Sequence, residues 1–204
     1  MNEKKTFCTT VLFFVISILA LARNNNPNLI TGAAGVSFEA SSTFPVPLWM
    51  APPANIAQEK LQVRWEADEI EGAWISVKWN EPQKFKELWI VNKAVPFDFK
   101  LDPYMRTANY LVPKNVKIIF NEGASIDAEL RLCEYYQILT LPEEIVTSSL
   151  KLVIETVWDG SGEKNTGLCK VKAFSKVYLT DMLKYNIREL PVQVDGTVEI
   201  SVKP

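Results

Sequence analysis

Loop aromatic residues with polar neighbours are the side chains of this sequence best suited to binding chemistry. Tyr104, Arg106, Asn109 and Tyr110 lie in a segment interrupted by three prolines, and Trp49 lies in an earlier segment interrupted by four. An aromatic ring offers a flat apolar surface, while Arg and Asn supply hydrogen bonds. That combination suits a ligand such as a pyranose, which has an apolar face and a rim of hydroxyl groups. The alternative is that these aromatic residues close the end of the domain, because Trp and Tyr are largely buried on average.

The sequence offers little for catalysis. It contains no histidine, which removes the usual general base, the Ser-His and Cys-His pairs and every zinc site that includes histidine. The acidic residues Glu66, Asp68, Glu69 and Glu71 could form a calcium loop or a glycosidase carboxylate pair, but their spacing specifies no cleft, so a solvated loop is the simpler interpretation. Residues 159–162 (DGSG) lack the lysine and the following helix of a phosphate loop. We therefore predict a protein that is not an enzyme.

Residues 1–22 have the pattern of a secretion signal. Lys4 and Lys5 precede an apolar run over residues 7–19, and residues 20–22 (ALA) form a small-x-small cleavage site. The run is shorter than the roughly 20 residues of a spanning helix, so no stable membrane insertion is expected after cleavage. We predict a secreted, periplasmic or extracellular protein. A net charge of −2 favours neither nucleic acid nor an anionic membrane as a partner.

Two cysteines would remain after cleavage at Ala22, because Cys8 would leave with the signal. In an oxidising compartment Cys133 and Cys169 could form a disulfide. The alternative is two separate buried thiols, since the sequence does not place their Cα atoms within bridging distance. Two cysteines without histidine do not supply a zinc site.

The organisation of the chain is that of an all-β protein. Alternating apolar residues bounded by Pro, Gly and Asn predict short antiparallel strands, some joined as hairpins. The predicted strand segments are 36–40, 72–79 and 85–92 as a hairpin around Pro82, 116–120 and 126–132 as a second hairpin, 138–141, 150–158 and 165–168 as strand, turn and strand, 168–174, and a closing hairpin over 192–202 with Asp195 and Gly196 in its turn. Strands of this kind with few helices describe an antiparallel β-sandwich.

The domain boundaries follow from the same pattern. We predict a flexible leader at residues 23–35, a sandwich at residues 36–175 and a C-terminal extension at residues 176–204. One or two helical turns are expected within residues 54–61, and a short helix within residues 177–187. Trp65, Trp74, Trp79 and Trp89 lie in or beside strands and are expected in the core.

The order of several motifs resembles discoidin-like, galactose-binding-like domains, with the NADase-type glycan-binding domain the nearest. The matching segments are residues 40–45 (ASSTFP), 65–66 (WE), 72–75 (GAWI), 115–122 (NVKIIFNE), 137–142 (QILTLP), 147–151 (TSSLK) and 157–161 (VWDGS). The resemblance covers roughly residues 36–175. It implies a jelly-roll sandwich that recognises carbohydrate through loops at one end. The alternatives are a protein-interaction or adhesion module on the same fold and, with less support, an accessory domain of a hydrolase.

The chain departs from the family pattern at two places, and the first concerns a structural calcium ion. Many discoidin-like domains have an Asp-Gly pair some residues before the tryptophan that corresponds to Trp65, whereas this chain has Gln58 and Glu59 there. The family also has an acidic residue near its end where this chain has Lys170. A hard cation prefers carboxylate and carbonyl oxygens in a tight turn, so Gln58 and the missing glycine argue against calcium.

Overall fold

A computed structural model describes residues 26–45, 51–59, 63–93, 110–121, 123–161, 164–177, 194–197 and 200–203. These residues form one short α-helix, one 3-10 helix and ten strands. In chain order the elements are α1 (Leu29–Gly32), β1 (Ser37–Ala40), the 3-10 helix (Pro53–Ala57), β2 (Trp65–Ala67), β3 (Trp74–Val91), β4 (Pro113–Phe120), β5 (Ala124–Glu129), β6 (Tyr136–Val157), β7 (Thr166–Leu168), β8 (Lys170–Phe174), β9 (Val194–Thr197) and β10 (Ile200–Lys203).

Two long strands organise the sandwich. β3 and β6 form an antiparallel ribbon in which Trp74 lies opposite Val153 at one end and Ile90 lies opposite Gln137 at the other. The first half of β3 also pairs with β1, whereas its second half pairs with β8. The second half of β6 pairs with β4, which continues to β5 and β10, and its first half pairs with β9 in parallel. The ribbon thus belongs to both layers, while β2 and β7 form a small second sheet. The predicted all-β sandwich is confirmed.

Bends in this ribbon lie where the prolines predicted turns. Around Pro82, four residues of β3 lie opposite one residue of β6, and around Pro142 four residues of β6 lie opposite one of β3. A bulge tolerates proline because it interrupts the ladder of hydrogen bonds. The hairpin predicted from residues 72–79 and 85–92 is therefore wrong, since the chain bends at Pro82 without reversing direction. Residues 138–141, predicted as a separate strand, likewise continue into the rest of β6.

The main core lies between the layers. Ile75 and Val77 from the first half of β3 meet Leu88 and Ile90 from its second half, and all four are at most 1% exposed. The alternation of apolar residues from which β4, β5 and the second half of β6 were predicted corresponds to one buried face of each strand, with Val116, Ile118, Phe120, Ile126, Ala128, Leu150, Leu152 and Ile154 in this core. Full burial of one such aliphatic or aromatic side chain contributes about 1.5–3 kcal/mol. The alternation therefore fixes which face of each strand points inward.

A second apolar cluster covers the other face of the ribbon, where the second half of β3 pairs with the first half of β6. Trp89 packs against Tyr136 and Phe174, with ring centroids 5.4 Å and 5.1 Å away. Trp65 and Trp79 are buried in the main core, as predicted. Trp74 differs, because it is only half-buried and the Lys151 ammonium lies 4.1 Å from its ring centroid.

The segment before β1 is packed on the sandwich, so the prediction of a flexible leader is wrong for residues 26–35. Leu29 and Ile30 are buried in the main core. Trp79 Nε1 donates to the Leu29 carbonyl oxygen at 2.8 Å, and Asn28 Oδ1 accepts from a backbone N–H of β8 at 3.1 Å. The asparagine residues that suggested a loop thus form hydrogen bonds that dock the segment.

The C-terminal strands also join the sandwich. β9 and β10 pair with β6 and β5 rather than with each other, so the predicted closing hairpin is wrong, and Asp195 and Gly196 lie within β9. The helix predicted over residues 177–187 lies outside the described residues except for its first position, and the predicted signal lies outside them entirely. Among the described residues, no helix is both long and apolar enough to cross a membrane.

Candidate functional site

Three connections meet at one end of the sandwich, namely those between β3 and β4, between β5 and β6, and between β6 and β7. Their described parts are residues 92–93, 110–112, 130–135 and 158–165 without 162–163, and we call this surface the loop end. Backbone hydrogen bonds join the connections to one another: Trp158 N–H donates to Val112 O at 2.9 Å, and Leu111 N–H donates to Asn165 O at 2.7 Å. The long segment 94–109 therefore begins and ends at the loop end.

A buried asparagine fixes the base of this surface. The Asn92 side-chain amide donates to Pro113 O at 2.8 Å and to Arg131 O at 2.7 Å, and its Oδ1 accepts from Gln137 Nε2 at 3.1 Å. Gln137 Oε1 in turn accepts from the Arg131 N–H at 2.5 Å. Asn92 and Gln137 are both fully buried. Because an unsatisfied buried polar group costs about 1–3 kcal/mol, this network specifies where the connections leave the sandwich.

Tyr110 belongs to the same network, which contradicts its expected contact with ligand. The side chain is fully buried, and its hydroxyl donates to Asn92 O at 2.6 Å. The Arg64 guanidinium lies 5.3 Å from the ring centroid. A ring enclosed in this way offers no face for stacking. The alternative weighed from the sequence, that the loop aromatics close the end of the sandwich, holds for this residue.

A buried carboxylate fixes a second part of the loop end. Glu66 pairs with Arg64 through one carboxylate oxygen and accepts a hydrogen bond from the Asn165 side chain through the other. Its backbone accepts from Phe44 N–H at 2.8 Å and donates to Ala51 O at 3.4 Å. Residues 46–50, which include Trp49, therefore begin and end beside Glu66. Since Asn165 also binds the Leu111 N–H, this pair joins the segment that carries Trp49 to the rest of the loop end.

The connection after β6 is held by Trp158. Its Nε1 donates to Leu130 O at 3.0 Å, and the Lys114 ammonium lies 4.8 Å from its ring centroid. Ser161 Oγ donates to Trp158 O at 2.6 Å and accepts from Val112 N–H at 2.9 Å. Residues 159–160 form a tight turn with Gly160 at φ +67°. The glycine-containing segment 159–162, considered above for phosphate, thus begins with a structural turn.

Four of the five predicted binding residues lie outside the described residues, namely Trp49, Tyr104, Arg106 and Asn109. The structure places the boundaries of their two segments at the loop end, and their binding role stays a prediction. The sequence analysis missed Leu132 and Tyr135, which are 44% and 38% exposed in the connection between β5 and β6. Leu132 was predicted as the last residue of the strand 126–132, but β5 ends at Glu129. The signal available for this connection was its sequence, residues 132–136 (LCEYY), in which apolar and aromatic residues flank a single glutamate.

Two acidic residues of the run 66–71 have structural partners. Glu69 accepts a hydrogen bond from the Ser42 hydroxyl. Burial acts to raise the pKa of Glu69, but hydrogen bonds from Ser42, from Ser41 and from backbone groups outweigh it, so the pKa is lowered. Glu66 is already paired with Arg64. Among the described residues there is no group of three or more His, Cys, Asp or Glu side chains that could hold a metal ion.

Cys133 and Cys169 are separate thiols in the structure, but only Cys169 is buried, so the alternative of two buried thiols holds for one of them. Cys169 is fully buried between β7 and β8, with its Sγ 4.0 Å from Val63 O. Cys133 lies at the loop end, with its Sγ 3.9 Å from Tyr135 O. Burial raises the pKa of Cys169 to about 11.

Calcium, which the resemblance would otherwise imply, does not fit the residues present. At the position where the family has an acidic residue, the Lys170 ammonium lies 2.7 Å from Val63 O, 3.0 Å from Cys169 O and 3.2 Å from Asn55 O. Carbonyl oxygens that could coordinate a metal ion are therefore hydrogen-bonded to the Lys170 ammonium. Gln58 Nε2 donates to Asn55 Oδ1 at 2.7 Å, which is a structural contact within the same segment.

Comparison with known proteins gives matches among solved structures. A family 32 carbohydrate-binding module from C. perfringens NanJ, in complex with galactose, matches with a TM-score of 0.52 and 10% identity over 68% of this chain and 93% of that chain. The lectin domain of lectinolysin, complexed with Lewis B antigen, matches with a TM-score of 0.53 and 12% identity over 74% and 97%. An F5/8 type C domain from Bacteroides fragilis matches with a TM-score of 0.51 and 10% identity over 70% and 92%. No protein-family model and no curated protein sequence matches the chain.

These matches establish the fold. The chain shares its β-sandwich fold with these carbohydrate-binding, lectin and F5/8 type C domains, and this is the kind of fold that the order of its motifs predicted. At such low identity they carry no residue-level correspondence. The nearer resemblance to the NADase-type glycan-binding domain stays a prediction.

Proposed function

We propose that this chain is an exported, non-catalytic carbohydrate-binding module that contacts its ligand through the loop end. One observation carries the proposal: the fold is shared with modules solved in complex with galactose and with Lewis B antigen. The segments with Trp49 and Tyr104 begin and end together at one end of this fold, which supports the choice of surface. Export rests on the signal pattern of residues 1–22.

The proposed mechanism combines stacking with hydrogen bonds to hydroxyl groups. Trp49, Tyr104 and the exposed Tyr135 offer flat apolar surface, and Arg106 and Asn109 offer hydrogen bonds. The buried network of Asn92, Tyr110 and Gln137 contributes indirectly, since it fixes the positions from which the binding segments leave the sandwich. Such preorganisation lowers the entropy cost of binding.

The test is a glycan array probed with the purified protein and with Trp49→Ala, Tyr104→Ala and Tyr135→Ala variants. Loss of one stacking ring that contributes about 1.4 kcal/mol lowers affinity about tenfold. Val146→Ala is the matched control, because Val146 is 56% exposed in the bend of β6. We expect specific binding that falls in at least one loop-end variant and not in the control. Folded protein that binds no glycan on the array contradicts the proposal.

A protein-interaction module is the second candidate, and one observation favours it. Leu132 and Tyr135 are exposed apolar side chains three positions apart on the loop end, and apolar surface of this kind also suits a protein partner. A partner captured equally well before and after enzymatic deglycosylation, and lost with Leu132→Ser, would favour this function over carbohydrate binding.

A further inference from the structure

Lys170 is a lysine whose ammonium group is buried inside the sandwich. Only 1% of the residue is exposed, although it lies in β8 next to the buried Val171. Lysine is almost never fully buried unless its charge is paired. Its Nζ donates to three backbone carbonyl oxygens, those of Asn55, Val63 and Cys169, at 3.2, 2.7 and 3.0 Å. We call these three oxygens the carbonyl cluster.

The carbonyl cluster joins three separate segments. Asn55 belongs to the 3-10 helix, Val63 precedes β2, and Cys169 lies between β7 and β8. An ammonium group has three N–H donors and no acceptor, so three carbonyl oxygens satisfy it fully. Carbonyl oxygens that converge on one positive centre are also the ligands that a hard cation such as Ca²⁺ prefers.

The charged side chains near Lys170 form ion pairs with other residues. Glu59 Oε2 binds Lys172 Nζ at 3.2 Å at the protein surface, and Glu59 is exposed. Arg64 binds Glu66. The positive charge of Lys170 is thus stabilised by backbone dipoles.

We propose that the Lys170 ammonium is an internal cation that does the structural work of a bound metal ion in the carbonyl cluster, so that the protein requires no calcium. By binding the Val63 carbonyl, it also anchors the chain immediately before Arg64 and Glu66, which organise the loop end. This inference is independent of the proposed glycan binding, because it concerns stability in the absence of ligand.

The test measures thermal unfolding of the purified full-length protein in 1 mM EDTA and in 1 mM CaCl₂. We expect the Tm of the wild-type protein to be equal in the two solutions. Lys170→Met removes the cation and all three of its hydrogen bonds to the buried carbonyl cluster, which should lower Tm by roughly 5–15 °C. Lys172→Met is the matched control, since Lys172 lies two residues along β8, where its ammonium pairs with the exposed Glu59 and lies 5.1 Å from the Tyr136 ring centroid, and its loss should lower Tm by no more than about 4 °C.

A charge-reversal variant tests whether the carbonyl cluster needs a positive charge. Lys170→Glu places a carboxylate beside the three carbonyl oxygens, so it should be less stable than the wild type in EDTA and regain at least 5 °C of Tm in CaCl₂. If this variant is unfolded in EDTA, far-UV circular dichroism in CaCl₂ gives the same answer, because Ca²⁺ should restore the β-sheet signal. A wild-type Tm that falls in EDTA, a Lys170→Met variant as stable as Lys172→Met, or a Lys170→Glu variant indifferent to Ca²⁺ would overturn the proposal.

Discussion

At the scale of single residues, the loop end depends on polar side chains that are buried rather than exposed. Asn92, Gln137 and Glu66 are at most 5% exposed, and each satisfies backbone or side-chain groups from other connections. Such groups are costly to bury alone and stabilising when fully paired. They therefore specify the geometry from which exposed residues can bind. The same residue types serve both for ligand contact and for this supporting role. The sequence alone therefore did not show that Tyr110 supports the loop end and does not contact ligand.

Adjacent residues Cys169 and Lys170 give the protein a specific dependence on pH. Burial lowers the pKa of Lys170 from 10.5 to about 8, and Glu59, Cys169 and Lys172 are the titratable groups that act on it. Between these values the unfolded chain holds a proton that the folded chain has released, so stability rises with pH. Burial raises the pKa of Cys169 from 9.0 to about 11, so its contribution is lost as pH rises through that range. We expect the free energy of unfolding to rise by about 1 kcal/mol between pH 8 and 9 and then to level off.

Urea unfolding at a series of pH values measures this profile. In Lys170→Met the rise from pH 8 should be absent, whatever the variant's overall stability. In Cys169→Ala the rise should continue to about pH 10, above which ionisation of Tyr136 in the unfolded chain lowers stability, because burial raises the pKa of Tyr136 in the folded chain. A wild-type profile that is flat or falls between pH 8 and 9 would contradict the assignment.

At the scale of secondary-structure elements, the β3–β6 ribbon explains both the layers and the errors in strand prediction. β3 has 18 residues and β6 has 22, and each continues through a proline because a bulge there bends the strand. Proline lacks a backbone N–H and therefore interrupts the hydrogen bonds of a strand at its own position. Whether the chain then reverses or only bends depends on the strand with which it pairs. Tertiary contacts likewise determine the structure of α1. Its four residues are too few for a helix that is stable on its own, and packing on the sandwich holds them.

The segment before β1 should contribute measurably to stability. Ile30 is 2% exposed in the main core, so Ile30→Ala is expected to lower the free energy of unfolding by about 2–5 kcal/mol. Thr31→Ala, at the exposed neighbouring position, is the matched control and should stay within about 0.5 kcal/mol of the wild type. Urea unfolding measures both. Equal stability of the two variants would mean that the segment is not docked on the sandwich.

At the scale of the whole molecule, packing and hydrogen bonds hold the sandwich together without a bond between Cys133 and Cys169. We therefore expect Tm to change by less than about 2 °C when dithiothreitol is added. A native disulfide usually contributes 2–4 kcal/mol, which would lower Tm on reduction by roughly 4–16 °C. Differential scanning calorimetry with and without reductant makes this measurement, and mass spectrometry after alkylation of the unfolded protein counts the thiols. A fall in Tm of that size on reduction would restore the disulfide.

Local sequence patterns determined the fold class and the orientation of the strands. Alternation in β4, β5 and β6 identified the buried faces, since a side-chain period of two has only one arrangement that buries the apolar set. The order of short motifs predicted the type of sandwich. The absence of histidine excluded catalytic pairs and zinc sites that require this residue.

The tertiary structure decided what depends on contacts between distant segments. Pairing of β9 with β6 and of β10 with β5 could not be read from the C-terminal sequence, because an isolated strand pattern does not name its partner. The burial of Tyr110 depends on Asn92, and the role of Lys170 depends on the carbonyl oxygens of Asn55 and Val63, more than 100 residues away in sequence. Side-chain type states what a residue can bind. Only the folded chain determines which groups come within reach of it.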